Sequence, residues 1–71
     1  MMDKMQFLEY LVEDAKGEYA YMLEHEAEIE KARTDNAIYS KVWNMRTPSR
    51  QRIKDDLKMI RRVTMELERN L

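Results

Sequence analysis

Apolar residues recur at steps of three and four along this chain, the spacing of an α-helix with one dry face. The clearest run lies toward the C terminus, where Ile53, Leu57, Ile60, Thr64, Leu67 and Leu71 share a face widened by Val63. Arg50, Arg52, Asp55, Lys58, Arg62, Glu66 and Arg69 fall largely elsewhere and keep the rest of that helix wet. In the first part of the chain a seven-residue frame runs through Leu8, Ala15, Met22, Ile29, Asn36 and Trp43. Its second series is Leu11, Glu18, His25, Ala32 and Tyr39, in which Glu18 and His25 are ionisable. That is a coiled-coil seam with polar interruptions.

Proline marks the boundary between the two helices. Pro48 disfavours helical backbone at the residue before it and suits the first turn of a new helix, where its missing N–H is no loss. Thr47 has the hydroxyl that an N-cap needs. The pattern therefore predicts one helix over about 3–45, a turn at 46–47 and a second helix over about 48–70. Gly17 weakens the first helix by up to about 1 kcal/mol relative to alanine and marks a place for a bend. The expected fold is all-α: an antiparallel helical hairpin with a long first helix and a shorter second one, assembling into a dimeric bundle.

The expectation of a dimer rests on length. At 1.5 Å per residue the first helix would span roughly 64 Å and the second roughly 35 Å. Folded about Arg46–Thr47, the second helix reaches back only to about Met22. The stretch before it holds Met2, Met5, Phe7, Leu8, Tyr10, Leu11, Val12, Ala15, Tyr19, Ala20 and Tyr21. An apolar stripe of that size left in water is a liability, so a second chain, or a fold-back near Gly17, is expected to cover it. A chain of 71 residues has a marginal core in any case.

Composition narrows the chemistry. There is no cysteine, so disulfides and thiolate metal sites are excluded and a reducing cytoplasm is compatible. Asp3, Glu9, Glu13 and Asp14 interrupt any leader-like apolar run, and no stretch approaches the roughly 20 apolar residues of a membrane span. Net charge is −1, but residues 1–35 carry ten acids and four bases, whereas residues 36–71 carry nine bases and four acids. The simplest reading is that the two halves attract each other within an antiparallel pair.

Candidate sites are few. His25 is the single histidine and lies among glutamates. The di-iron pattern would need a glutamate where Met22 stands, and the zinc-protease pattern a second histidine, so no metal or other cofactor is expected. There is no glycine-rich phosphate loop and no nucleophile elbow, and Ser40 and Ser49 lack an activating context, so no catalytic residue is expected. The basic run Lys41, Arg46, Arg50, Arg52 and Lys54, with Trp43 and Tyr39 nearby, suggests nucleic-acid contacts as one alternative. The favoured reading is a protein interface in the methionine- and aromatic-rich first third. Leu8, Leu11, Ala15 and Met22 would serve self-association, and Met5, Phe7, Tyr10 and Tyr21 a larger partner. Short, cysteine-free helical chains rich in Lys and Glu are common among small proteins of bacteria and their phages, a likeness of composition that carries no residue over. The expectation is a non-enzymatic, cytoplasmic interaction module that binds, adapts or inhibits a larger protein.

Overall fold

A computed structural model describes residues 2–34 and 39–71, with side chains described for all of these but 39 and 40. The described residues form three helices, α1 (Lys4–Thr34), α2 (Tyr39–Asn44) and α3 (Arg50–Arg69). None of the described helices is long and apolar enough to cross a membrane. The first helix starts at a reciprocal cap. The Asp3 carboxylate accepts from Gln6 N at 2.8 Å, and the Gln6 side-chain oxygen accepts from Asp3 N at 3.2 Å, so two otherwise orphaned N–H groups are satisfied. Lys31 and Arg33 lie in the last turn of α1, where positive charge suits the helix dipole.

The expectation of one continuous helix over 3–45 is corrected. α2 lies alongside α1 rather than extending it, since Lys41 Nζ stands 3.3 Å from Glu28 Oε1. In a continuous helix those thirteen residues would separate the two by roughly 20 Å. Asn36, part of the predicted frame, lies outside the described residues. The turn at 46–47 is corrected as well. Residues 46–49 form an extended link between α2 and α3, with Ser49 at φ −99° and ψ 99°. Pro48 does interrupt the helix, but the chain passes it without reversing.

This placement gives the first third of the chain an intramolecular partner. α3 packs along α1 in the opposite direction, from Arg52 beside Asp14 to Glu66, 3.3 Å from Lys4. α2 takes the far end of α1, so the returning arm matches α1 along its length. The predicted seam closes within the chain: Leu11 and Ala15 are buried, and Leu8, Met22, His25, Ile29 and Ala32 are half-buried. Val63 of α3 is buried, with Ile53, Asp56, Met59, Ile60 and Leu67 half-buried beside it. Among the described residues the buried apolar set is Leu11, Ala15 and Val63, a thin core for two helices.

α1 continues unbroken through Gly17, whose φ is not positive, so no fold-back occurs there. A Cβ added at Gly17 meets nothing within 4 Å. Gly17→Ala is therefore expected to raise stability by up to about 1 kcal/mol, read from the urea midpoint.

The start of α3 is also shifted from its expected place. Ser49, not Thr47, caps it, the Ser49 hydroxyl accepting from Arg52 N at 3.1 Å, and the helix begins at Arg50 rather than Pro48. Proline here precedes the cap, where its fixed φ suits an extended link. Ser49→Ala should lose about 0.5–2 kcal/mol in thermal or chemical unfolding. Thr47→Ala, at an exposed position outside the helix, should leave the midpoint unchanged.

Candidate functional site

Glu18 sits in the seam with its side chain 3% exposed, at a position where a coiled coil would place an apolar residue. It gathers three donors from the extended link. Arg46 Nη1 donates to Oε2 at 2.8 Å and Nη2 to Oε1 at 2.7 Å, a planar two-point contact. The Ser49 backbone N–H donates to Oε2 at 2.7 Å. The Arg46 guanidinium and the Ser49 N–H together lower the Glu18 pKa to about 2 against the opposing effect of burial. Arg46 is held further: its guanidinium carbon lies 4.1 Å from the centre of the Tyr21 ring, a cation–π contact. Tyr21 in turn donates its hydroxyl to the Arg46 carbonyl at 2.9 Å.

Glu28 plays the equivalent part for α2. Burial pushes its pKa up, but hydrogen bonds and charge from Lys41 and Lys31 outweigh this and hold it below the ordinary value. Farther along, Arg50 pairs with Glu26 at 2.8 Å and Arg52 pairs with Asp14 through two nitrogens. Asp56 of α3 faces Asp14 as well, and its Oδ2 is buried without a hydrogen-bond partner. The neighbouring Asp14 carboxyl, reinforced by burial, raises the Asp56 pKa to about 6. Asp14 is shifted the other way, lowered chiefly by its hydrogen bonds to Arg52 and Asp56. Asp56 is therefore the carboxyl of the pair that takes up a proton first as pH falls.

The basic residues expected as nucleic-acid contacts are mostly engaged with acids of α1. Lys41 meets Glu28, Arg46 meets Glu18, Arg50 meets Glu26 and Arg52 meets Asp14. Lys54 is exposed and Trp43 is 76% exposed. Of Tyr39, the backbone alone is described. His25 is half-buried, its ring centre 6.5 Å from that of Tyr21. No group of three or more metal-ligating side chains converges among the described residues.

The residues expected to form a protein interface divide. Leu11 and Ala15 are buried; Phe7, Leu8, Tyr21 and Met22 are half-buried; Met5 and Tyr10 are exposed. Phe7 and Tyr10 stack, with ring centres 6.5 Å apart and planes 11° from parallel.

A second apolar surface emerges from the helix geometry, at about 100° per residue. On α1 the side turned to α3 centres on Leu11 and Glu18. Met5, Val12 and Tyr19 lie about 100° farther round in the direction of increasing residue number. On α3 the inward side centres on Asp56 and Val63, and Leu57 and Thr64 lie about 100° farther round in the same sense. The helices run in opposite directions, so the same sense of rotation carries both sets to one side of the pair. Tyr10 falls on the other side, near the Asp14–Arg52 contact. Met5 (55%), Tyr19 (50%), Leu23 (46%) and Leu57 (51%) are substantially exposed. The sequence pattern placed Val12 and Tyr19 only within the apolar stretch that a second chain would cover, and Leu57 on the dry face of the second helix, although the seven-residue spacing of Met5, Val12 and Tyr19 is the signal that sets them together.

Comparison with protein-family models, with curated proteins and with solved structures finds no match.

The two perturbed carboxyls set opposite pH trends. Glu18, lowered from 4.5 to about 2, contributes stability that is complete above pH 4.5 and is lost as pH falls through about 2. Asp56, raised from 3.8 to about 6, favours the folded state below pH 3.8, and that contribution is lost as pH rises through about 6. Thermal unfolding across this range should give a maximum melting midpoint between about pH 4 and 5. Asp56→Asn should remove the decline between about pH 4 and 6 and leave the acid limb in place.

Proposed function

We propose that this chain is a non-enzymatic interaction module: a helical hairpin that self-associates into a bundle and binds, adapts or inhibits a larger protein. The observation that carries the reading is the exposed apolar side of the α1–α3 pair. A stable unit normally needs two packed layers of secondary structure around a core, and this chain supplies one. Its extents are 55 × 20 × 14 Å, and the smallest is close to a single helix diameter. Contiguous exposed apolar area of this kind marks association surfaces. The Phe7–Tyr10 stack on the opposite side is the best anchor for a partner other than a second copy, because aromatic residues dominate interface energetics.

The nucleic-acid alternative is weaker, because a phosphate would have to displace the carboxylates that Lys41, Arg46, Arg50 and Arg52 already meet. The partner-binding reading is tested with Tyr10→Ala. Tyr10 is 55% exposed, so helicity and mass should be unchanged while capture of the partner from cell extract is lost. Retained capture with the fold intact would remove this surface from the function.

A further inference from the structure

We propose that the side of the α1–α3 pair bearing Met5, Val12, Tyr19 and Leu57 is covered by a second copy of this chain, with α1 of each copy lying on α3 of the other. The inference rests on the interaction reading above and gives one of its surfaces an occupant and a geometry.

Two packings of identical faces are compatible with two-fold symmetry. A two-fold axis across the helices would lay α1 on α1 and α3 on α3. An axis parallel to the helices lays α1 on the partner's α3. Charge separates them. α1 carries eight acids against four bases, and α3 carries seven bases against four acids. In net charge the first packing sets like against like, and the second sets opposites together.

The second packing also keeps the vertical register of the single chain, because rotation about a parallel axis moves nothing along it. In that register Lys4 is level with Glu66 and Asp14 with Asp56. By interpolation, Val12 lies level with Leu57 of the partner subunit, and Glu9 with the partner's Arg61. Val12 then meets the partner's Leu57 at the centre; at the rim an acid, Glu9, meets a base, while seven residues on Lys16 comes level with the partner's Lys54. Every helix has antiparallel neighbours, within its own layer and across the interface, so the helix dipoles oppose favourably.

The size is sufficient. α3 is 20 residues long, about 30 Å at 1.5 Å per residue, and the pair is 20 Å wide. Such a face gives about 600 Å² per chain and about 1,200 Å² in total, the lower bound for a specific interface. At that bound, association at micromolar concentration is expected together with sensitivity to single substitutions.

The absence of cysteine makes the geometry directly testable. Two single variants, Val12→Cys and Leu57→Cys, are mixed and oxidised with the full chain otherwise unchanged. The cross-subunit pair brings positions 12 and 57 together, whereas 12 and 12, or 57 and 57, lie diagonally across the bundle, beyond disulfide reach. The expected result is a predominantly mixed Val12→Cys/Leu57→Cys disulfide, a two-chain mass for the unmodified protein by sedimentation equilibrium, and a single-chain mass with retained helicity for Leu57→Lys. A single-chain mass for the unmodified protein, or disulfides predominantly between like variants, would overturn the inference. Either outcome leaves the partner reading to its own test at Tyr10, on the opposite side of the pair.

Discussion

A buried carboxylate organises this molecule. Glu18 stands in a seam where an apolar residue would be expected, and a lone charge there would be strongly destabilising. It is tolerated because the chain brings Arg46 and the Ser49 N–H to it from a distant stretch of sequence. That requirement fixes where the extended link lies, and hence where α3 begins. With Ser49 pinned to Glu18, the cap of α3, its distance along α1 and its facing residues all follow. Asp14 then meets Arg52, and Lys4 meets Glu66 at the far end. The seam itself contributes modestly, since its buried apolar residues among those described are two on α1 and one on α3. Specificity of register comes from the ionic contacts, and attraction from a narrow apolar strip.

The helices themselves were legible in the sequence because their spacing is. The frame through Leu8, Leu11, Ala15, Met22 and Ile29 is the side of α1 that faces the rest of the chain; of the stripe expected on α3, Ile53, Ile60, Val63 and Leu67 lie on the covered side, whereas Leu57, Thr64 and Leu71 are exposed. The connection was not legible. Pro48 signals a helix boundary, but a proline interrupts a helix whether the chain turns or runs straight on, and local chemistry does not separate the two. Choosing the turn there made the returning arm too short and left the first third of the chain without a partner. Thr47 and Ser49 are both competent caps, and tertiary placement of the Ser49 N–H on Glu18 decided between them.

Charge was legible in aggregate and not in detail. The acidic first half and basic second half pointed to mutual attraction, and the contacts of Lys41, Arg46, Arg50 and Arg52 take that form. What one-dimensional reading lacked was the pairing of Asp14 with Asp56, two acids brought face to face by register. It also read Glu18 as a flaw in the seam. A polar residue at such a position is better treated as a demand for a partner, with the nearest basic residue in an extended, proline-marked stretch as the place to seek it.

α2 is six residues long, well short of the length at which a helix persists in water unaided. Its hold on α1 includes Lys41 at Glu28 and, just beyond it, the link at Glu18, with Val42 and Met45 half-buried beside them. The α1–α3 contact does not pass through it. The protein is therefore divided into cooperative units of unequal strength. Backbone amides of α2 are expected to exchange with solvent through local opening, and those around Leu11 and Val63 through separation of α1 from α3. The Lys41–Glu28 contact is open to screening by salt, so the ionic strength of the medium bears on the end of the molecule that carries Trp43.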